Sequence, residues 1–163
     1  DTRFMRCGWR TALWITEMTD ALSFGVHIPF VEHLGFTLHR MEAGESELRY
    51  AARPEHHNSF DVTHGGALMT LLDVAMATAA RSHAPEMGVV TVEMKTSFMQ
   101  PAQGPLVARG RLLHRTATLA FTEATVHDAQ GRLCCQATGT FKVVRRLPVD
   151  GRQVHVLKAV PTD

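Results

Sequence analysis

Cysteine is scarce in this 163-residue chain, and so is any imbalance of charge. The three cysteines, Cys7, Cys134 and Cys135, form no CxxC pair and no zinc-ligand spacing. That excludes a disulfide framework and a structural zinc site, and no metal is expected. Thiols used this sparingly fit a reducing, cytoplasmic compartment. Lysine and arginine total 17 against 16 acidic residues, a net charge of +1. Nucleic-acid binding needs a basic excess to neutralise phosphates, so that partner is excluded. No apolar run approaches the roughly 20 residues of a membrane span. No charged start, apolar block and small-residue cleavage site marks a signal peptide. The GxSxG elbow, HExxH, the P-loop and GxGxxG are all missing. Their absence argues against α/β-hydrolases, zincins, P-loop enzymes and Rossmann dinucleotide binders.

What is present is a globular composition, 45% hydrophobic and 20% charged, long enough for one domain with its own core. Residues 1–24 read as a helical extension, with Trp14, Met18 and Ala21 at helical spacing. The main domain is expected over 25–146 and a tail over 147–163. Pro29 starts a short helix that Gly35 ends. Alternation and turn residues predict strands at 36–41, 46–53, 89–99, 106–114, 119–127 and 132–144. In the third, Val90, Val92, Met94, Thr96 and Phe98 alternate with Thr91, Glu93, Lys95 and Ser97. Between the second and third strands, residues 65–82 are rich in Ala, Leu and Met, which predicts a helix of about 27 Å. It is apolar on nearly every side, so burial almost all round is expected. One such helix among antiparallel strands predicts an α+β fold, the sheet curled around the helix. The apolar surface exceeds what one sheet hides, so a homo-oligomer is expected.

Three features of this helix and its entry carry chemistry. Asp73 lies mid-helix among Met69, Met76 and Ala77. A carboxylate there needs a hydrogen bond, or its pKa rises. His64-Gly65-Gly66 opens the helix, where the first amides lack internal partners and carry positive dipole. Glycine permits close approach, so these amides suit an oxyanion. Asn58 is the sole asparagine of the chain and sits in the loop feeding the helix. Its amide can orient a water or a carbonyl. Gly65 and Asp73 are eight residues apart, about 12 Å along one helix. One chain cannot place both on one carbonyl. Two antiparallel copies can, so cooperation requires a site shared across a two-fold axis.

The run Asn58, His64-Gly65-Gly66, Asp73-Val74-Ala75 resembles the signature of hotdog-fold acyl-CoA thioesterases of the PaaI-like, phenylacetate-pathway type. Thr91-Val92-Glu93-Met94 with Ser97-Phe98 and Pro101-Ala102 resembles the family's next strand, and Ile28-Pro29-Phe30 its entry. The resemblance implies an antiparallel sheet wrapped around one long central helix, in a dimer or dimer of dimers. It implies Asp73 as general base or nucleophile, the Gly65 amide polarising the thioester carbonyl, Asn58 and His64 orienting substrate or water, and Thr91 holding the attacking water. No cofactor is implied; coenzyme A is part of the substrate. Where relatives show a Gly-Arg step after His114-Arg115, Thr116-Ala117 stands here, and Arg81 and Arg115 are taken as substitutes for the coenzyme A phosphates. Gly66, Leu72 and Met76 are expected beside an apolar or aromatic acyl group. Two other activities fit a hotdog fold: an acyl-CoA hydratase or dehydratase, and a non-catalytic acyl-CoA binder. Hydration calls for a His with an acid near the substrate β-carbon, and the Gly-Gly helix start with Asp73 fits hydrolysis better.

Overall fold

Proline at the first position and a left-handed glycine at the end bound α1 (Pro29–Leu34), with Gly35 at φ 79°. This is the computed structural model of the chain, and it describes residues 20–145, 147–149 and 152–154. Strands β1 (Thr37–Glu42) and β2 (Glu45–Ala51) pair antiparallel across a turn in which Ala43 and Gly44 both take positive φ. A twisted hairpin requires that hand. After the 3₁₀ turn Pro54–His56 comes the long helix α2 (Gly65–Arg81). Strands β3 (Gly88–Phe98), β4 (Pro105–Arg115), β5 (Leu119–Asp128) and β6 (Leu133–Val144) follow.

The six strands form one antiparallel sheet in the order β1-β2-β4-β5-β6-β3. α2 packs on it through Leu68, Leu71, Leu72, Ala75, Met76 and Ala79, against Leu48, Leu106, Val126 and Phe141. This is the α+β hotdog arrangement that the resemblance implies. Helix and sheet are in tight contact at β4, where a Cβ on Gly110 would lie 2.3 Å from the Ala75 carbonyl oxygen. The same oxygen accepts a buried hydrogen bond from Ser46 Oγ on β2, at 2.7 Å.

The helix is not buried all round. Gly66 and Met69 are exposed, and Thr70, Asp73 and Ala77 are partly open, spaced as one helical stripe. A single sheet curls round only one side of the helix and leaves this stripe uncovered. Strand β3 departs from simple alternation. Its register with β6 shifts between Thr91 and Glu93, so Thr91 falls on the helix side together with Met94 and Phe98. Bulges of this kind re-aim a side chain. β3 is also an edge strand, with Val92 60% and Phe98 52% exposed.

Two expectations change. The helical extension over 1–24 lies mostly outside the described residues, and its described end is not helical: Leu22 forms a β-bridge with Leu38. Part of the expected tail is paired, Leu147–Val149 (β7) with Arg152–Val154 (β8). Cys134 and Cys135 are both buried, because the Pro101–Ala102 turn covers the face that Cys134 would otherwise expose. No helix among the described residues is long and apolar enough to cross a membrane.

Candidate active site

The entry to α2 is fixed by side chains that the motif reading did not single out. His56 is 6% exposed, and its Nδ1 meets Tyr50 OH at 2.9 Å. The Arg53 guanidinium approaches His56 Nε2 at 3.1 Å. Burial and the nearby Arg53 charge hold the His56 pKa below its ordinary value, so the ring is neutral at pH 7. Its carbonyl accepts the His64 amide at 2.9 Å. The only hint of this in sequence is the clustering of His56, Arg53 and Tyr50 before the glycines.

His64 caps the helix: its Nδ1 accepts the Gly66 amide at 2.9 Å. That accounts for Gly66, whose amide is therefore not free for an oxyanion. The Gly65 amide has no hydrogen-bond partner among the described residues. It lies on a cleft of about 690 Å³ lined by Asn58, Phe60, Leu68, Phe98 and Met99. The Phe98 ring would touch a Cβ added at Gly65, at 3.5 Å. Asn58 Oδ1 accepts the Phe60 amide at 2.9 Å and the Val62 amide at 3.4 Å, an Asx turn. Only its NH₂ end is left to reach the cleft.

Asp73 lies elsewhere. It borders a pocket of about 240 Å³ with Phe24, Val26, Ile28, Val74, Ala77 and Val89. Thr91 Oγ1 donates to its Oδ1 at 2.7 Å. Desolvation raises the Asp73 pKa, and the Thr91 bond opposes that rise. Burial wins because one neutral hydroxyl replaces only part of a carboxylate's hydration. The pair exists because the β3 bulge turns Thr91 toward the helix. Phe24, Val26 and Ile28 alternate inward from the segment before α1, a pattern legible in sequence but not used above.

Asn58 and Gly65 thus share one cavity, and Asp73 borders another with Thr91 bonded to its carboxylate. Four expected contacts are corrected, those of Leu72, Met76, Gly66 and Arg81. Leu72 and Met76 are fully buried in the core and line neither cavity, because they point from α2 into the sheet. Gly66 is committed to His64. Arg81 is 7% exposed, and its guanidinium donates to the carbonyls of Phe24, Pro85 and Met87, which leaves it sequestered from a coenzyme phosphate. Arg115 ends β4 opposite Ala120 and lines neither cavity. No group of three or more His, Cys, Asp or Glu among the described residues is arranged to hold a metal ion.

Thr91→Val is expected to shift the acid limb of any Asp73-dependent rate to higher pH, since the hydroxyl stabilises the ionised carboxylate. The rate at pH 7 falls by about tenfold, the worth of one hydrogen bond to a charged group. An unchanged pH profile in the folded variant contradicts the pairing.

Residues 60–135 match the family model of the thioesterase superfamily. The proofreading thioesterase EntH of Klebsiella pneumoniae is 30% identical over 125 residues, 75% of this chain and 91% of that protein. The structure of a conserved protein from Pseudomonas aeruginosa superposes with TM-score 0.70 at 28% identity, covering 74% of this chain and 97% of that one. The PaaI protein from the phenylacetic acid degradation operon of E. coli has the same fold, with TM-score 0.68 at 19% identity over 83% of this chain and 92% of that one.

Proposed function

The chain belongs to the thioesterase superfamily and is a thioester hydrolase, and from that premise we propose that it hydrolyses apolar or aromatic acyl-CoA thioesters at a site shared by two copies. The observation that carries this reading is Asp73, bonded to Thr91 beside an apolar pocket, on the same helix as a Gly65 amide that is unpartnered among the described residues. The two lie about 12 Å apart along that helix. Antiparallel apposition of two open α2 stripes brings the Gly65 amide of one copy to the Asp73 of the other. The exposed edge of β3 with its apolar Val92 and Phe98, and Met99 just after it, suits the same apposition.

In this reading the Gly65 amide and the Asn58 NH₂ of one copy polarise the thioester carbonyl. Asp73 of the other, as general base, takes a proton from a water that also donates to Thr91 Oγ1. The water oxygen bonds to the carbonyl carbon, the C–S bond breaks, and coenzyme A leaves as a thiolate. With a thiol pKa near 8.5, that leaving group needs no strong acid. The proton on Asp73 then returns to bulk solvent or to the thiolate. His64 Nδ1 is held by Gly66, so its Nε2–H faces solvent as a donor to substrate. If Asp73 is instead the nucleophile, its carboxylate forms a mixed anhydride as coenzyme A leaves, and water opens it; label in Asp73 after single turnover in H₂¹⁸O marks opening at the Asp73 carbonyl, and as a base Asp73 acquires none. Arg115 is the remaining candidate cation for the coenzyme phosphates.

The test is thiol release from short, medium, long and aryl acyl-CoAs, followed by complementation. Asp73→Asn and Gly65→Val are each expected to be inactive alone. Co-expressed, random dimers contain one intact site in each heterodimer, and activity returns to about a quarter of wild type. Two inactive variants that stay inactive when mixed would put both residues in one chain's site, or neither. No thiol release from any thioester would remove the acyl-CoA assignment.

A further inference from the structure

Arg81 is a buried cation whose three observed partners are all backbone carbonyls; Phe24 lines the Asp73 pocket, and Pro85 and Met87 lie just before its lining residues Gly88 and Val89. Nη1 donates to Phe24 O at 3.3 Å, in the segment that precedes α1. Nη2 donates to Pro85 O at 2.7 Å and Nε to Met87 O at 3.0 Å, in the segment that leads into β3. The pre-α1 segment is anchored at one end by the Leu22 amide on Leu38 O and at the other by Ile28 O on the Glu32 amide. Between those anchors, among the described residues, its hydrogen bond to α2 is the one from Arg81 to Phe24.

The pocket follows α2 from Asp73 past Ala77 to Arg81, a span of about 12 Å between the first and last Cα. Arg81 borders the pocket at its far end along α2. Phe24, Val26 and Ile28 form the outer wall. A volume of about 240 Å³ equals that of about eight waters at ~30 Å³ each. That is the scale of a medium acyl chain or one aryl ring.

We propose that Arg81, by pinning the Phe24 wall, is a positioning residue that sets the upper size of the acyl group accepted beside Asp73. The proposal rests on the reading of Asp73 as the reacting carboxylate. It replaces the phosphate-binding role expected for Arg81. Burying a charge against carbonyls alone is costly, and holding both segments at once gives that cost a structural return.

The experiment compares wild type, Arg81→Met and Phe24→Ala with hexanoyl-, phenylacetyl-, dodecanoyl- and palmitoyl-CoA. Met keeps the length and apolar bulk of the Arg stem and removes its donors. Both variants are expected to raise the dodecanoyl-to-hexanoyl ratio of kcat/KM by tenfold or more. In parallel, acyl-CoA affinity is measured in the Asp73→Asn background with and without Phe24→Ala, which needs no turnover. There the affinity is expected to fall from hexanoyl to palmitoyl, and Phe24→Ala to lift the long-chain values. A loss of stability alone would leave the length preference where it was. Unchanged length profiles in both folded variants overturn the proposal. A uniform loss in Arg81→Met together with weaker inhibition by free coenzyme A also overturns it and restores the phosphate role. Should Arg81→Met not fold, Phe24→Ala decides alone. A length limit in binding without hydrolysis leaves the pocket assignment standing and removes the hydrolytic one.

Discussion

Asp73→Asn is expected to lower thioester hydrolysis by about 10³-fold, within the usual range for losing a general base, and at the same time to raise the melting temperature. The two effects share one cause. Asp73 sits between the apolar Val74 and Ala77 and the Thr91 hydroxyl, and desolvation raises its pKa. A carboxyl whose pKa is higher folded than unfolded binds its proton more tightly in the native state. Stability therefore decreases as pH rises from the unfolded pKa through the folded one, and the cost is fully present above both. Asparagine carries no charge to desolvate, and its Oδ1 still accepts from Thr91. The gain at pH 7 disappears in acid, where Asp73 is protonated. The same raised pKa places the acid limb of the wild-type rate above the ordinary aspartate range near 4. Melting curves at pH 7 and pH 4 with rates at pH 7 make the comparison. A variant that loses both activity and stability at pH 7 would mean that Asp73 is a structural residue. Retained activity would remove it from the chemistry.

The second large effect is on folding. Gly110→Ala is expected to cost about 3 kcal/mol, the upper end for overpacking, and to lower the melting temperature by roughly 10 °C. The added methyl would meet Ala75 O at 2.3 Å and Ser46 Oγ at 2.6 Å. Both are fixed, the first as helix backbone and the second by its bond to that same oxygen. The helix would have to lift from β4 and leave core atoms on both sides uncovered. Gly139→Ala gives the control. Its neighbours are Met76 Cε at 3.1 Å and Met76 Sδ and Phe141 Cε2, both at 3.2 Å, side chains rather than helix backbone, so the cost is expected to be smaller than at Gly110. A change of less than about 2 °C in Gly110→Ala would mean that the helix is not seated on β4 as described.

The sequence by itself determined the element order, the long helix and the residues around which the site is built. Those signals are local. Pro29 and Gly35 bound α1 through fixed φ and left-handed backbone. Helix formers without interruption define α2. His64 and the two glycines mark its start, and Asp73 stands out because a carboxylate in an apolar stretch is expensive. The eight-residue spacing of Gly65 and Asp73 also sufficed to argue for two copies, because helix rise per residue is a constant.

Tertiary structure decided which faces those residues use. Alternation put Thr91 opposite Met94 and Phe98, and one extra residue in β3 put all three on the helix side. A bulge arises from pairing with β6, so no local pattern announces it. Leu72 and Met76 could not be told from cavity-lining residues, since core and pocket select the same apolar side chains. Only the direction of the sheet separated them. Gly65 and Gly66 are adjacent and alike in sequence. The His64 ring takes one amide and leaves the other. Arg81 looked like a solvent-facing cation at a helix end, and the carbonyls that surround it come from segments 57 residues before it and four to six after it. Burial of a charge depends on such distant partners, and a chain read in order does not contain their distances.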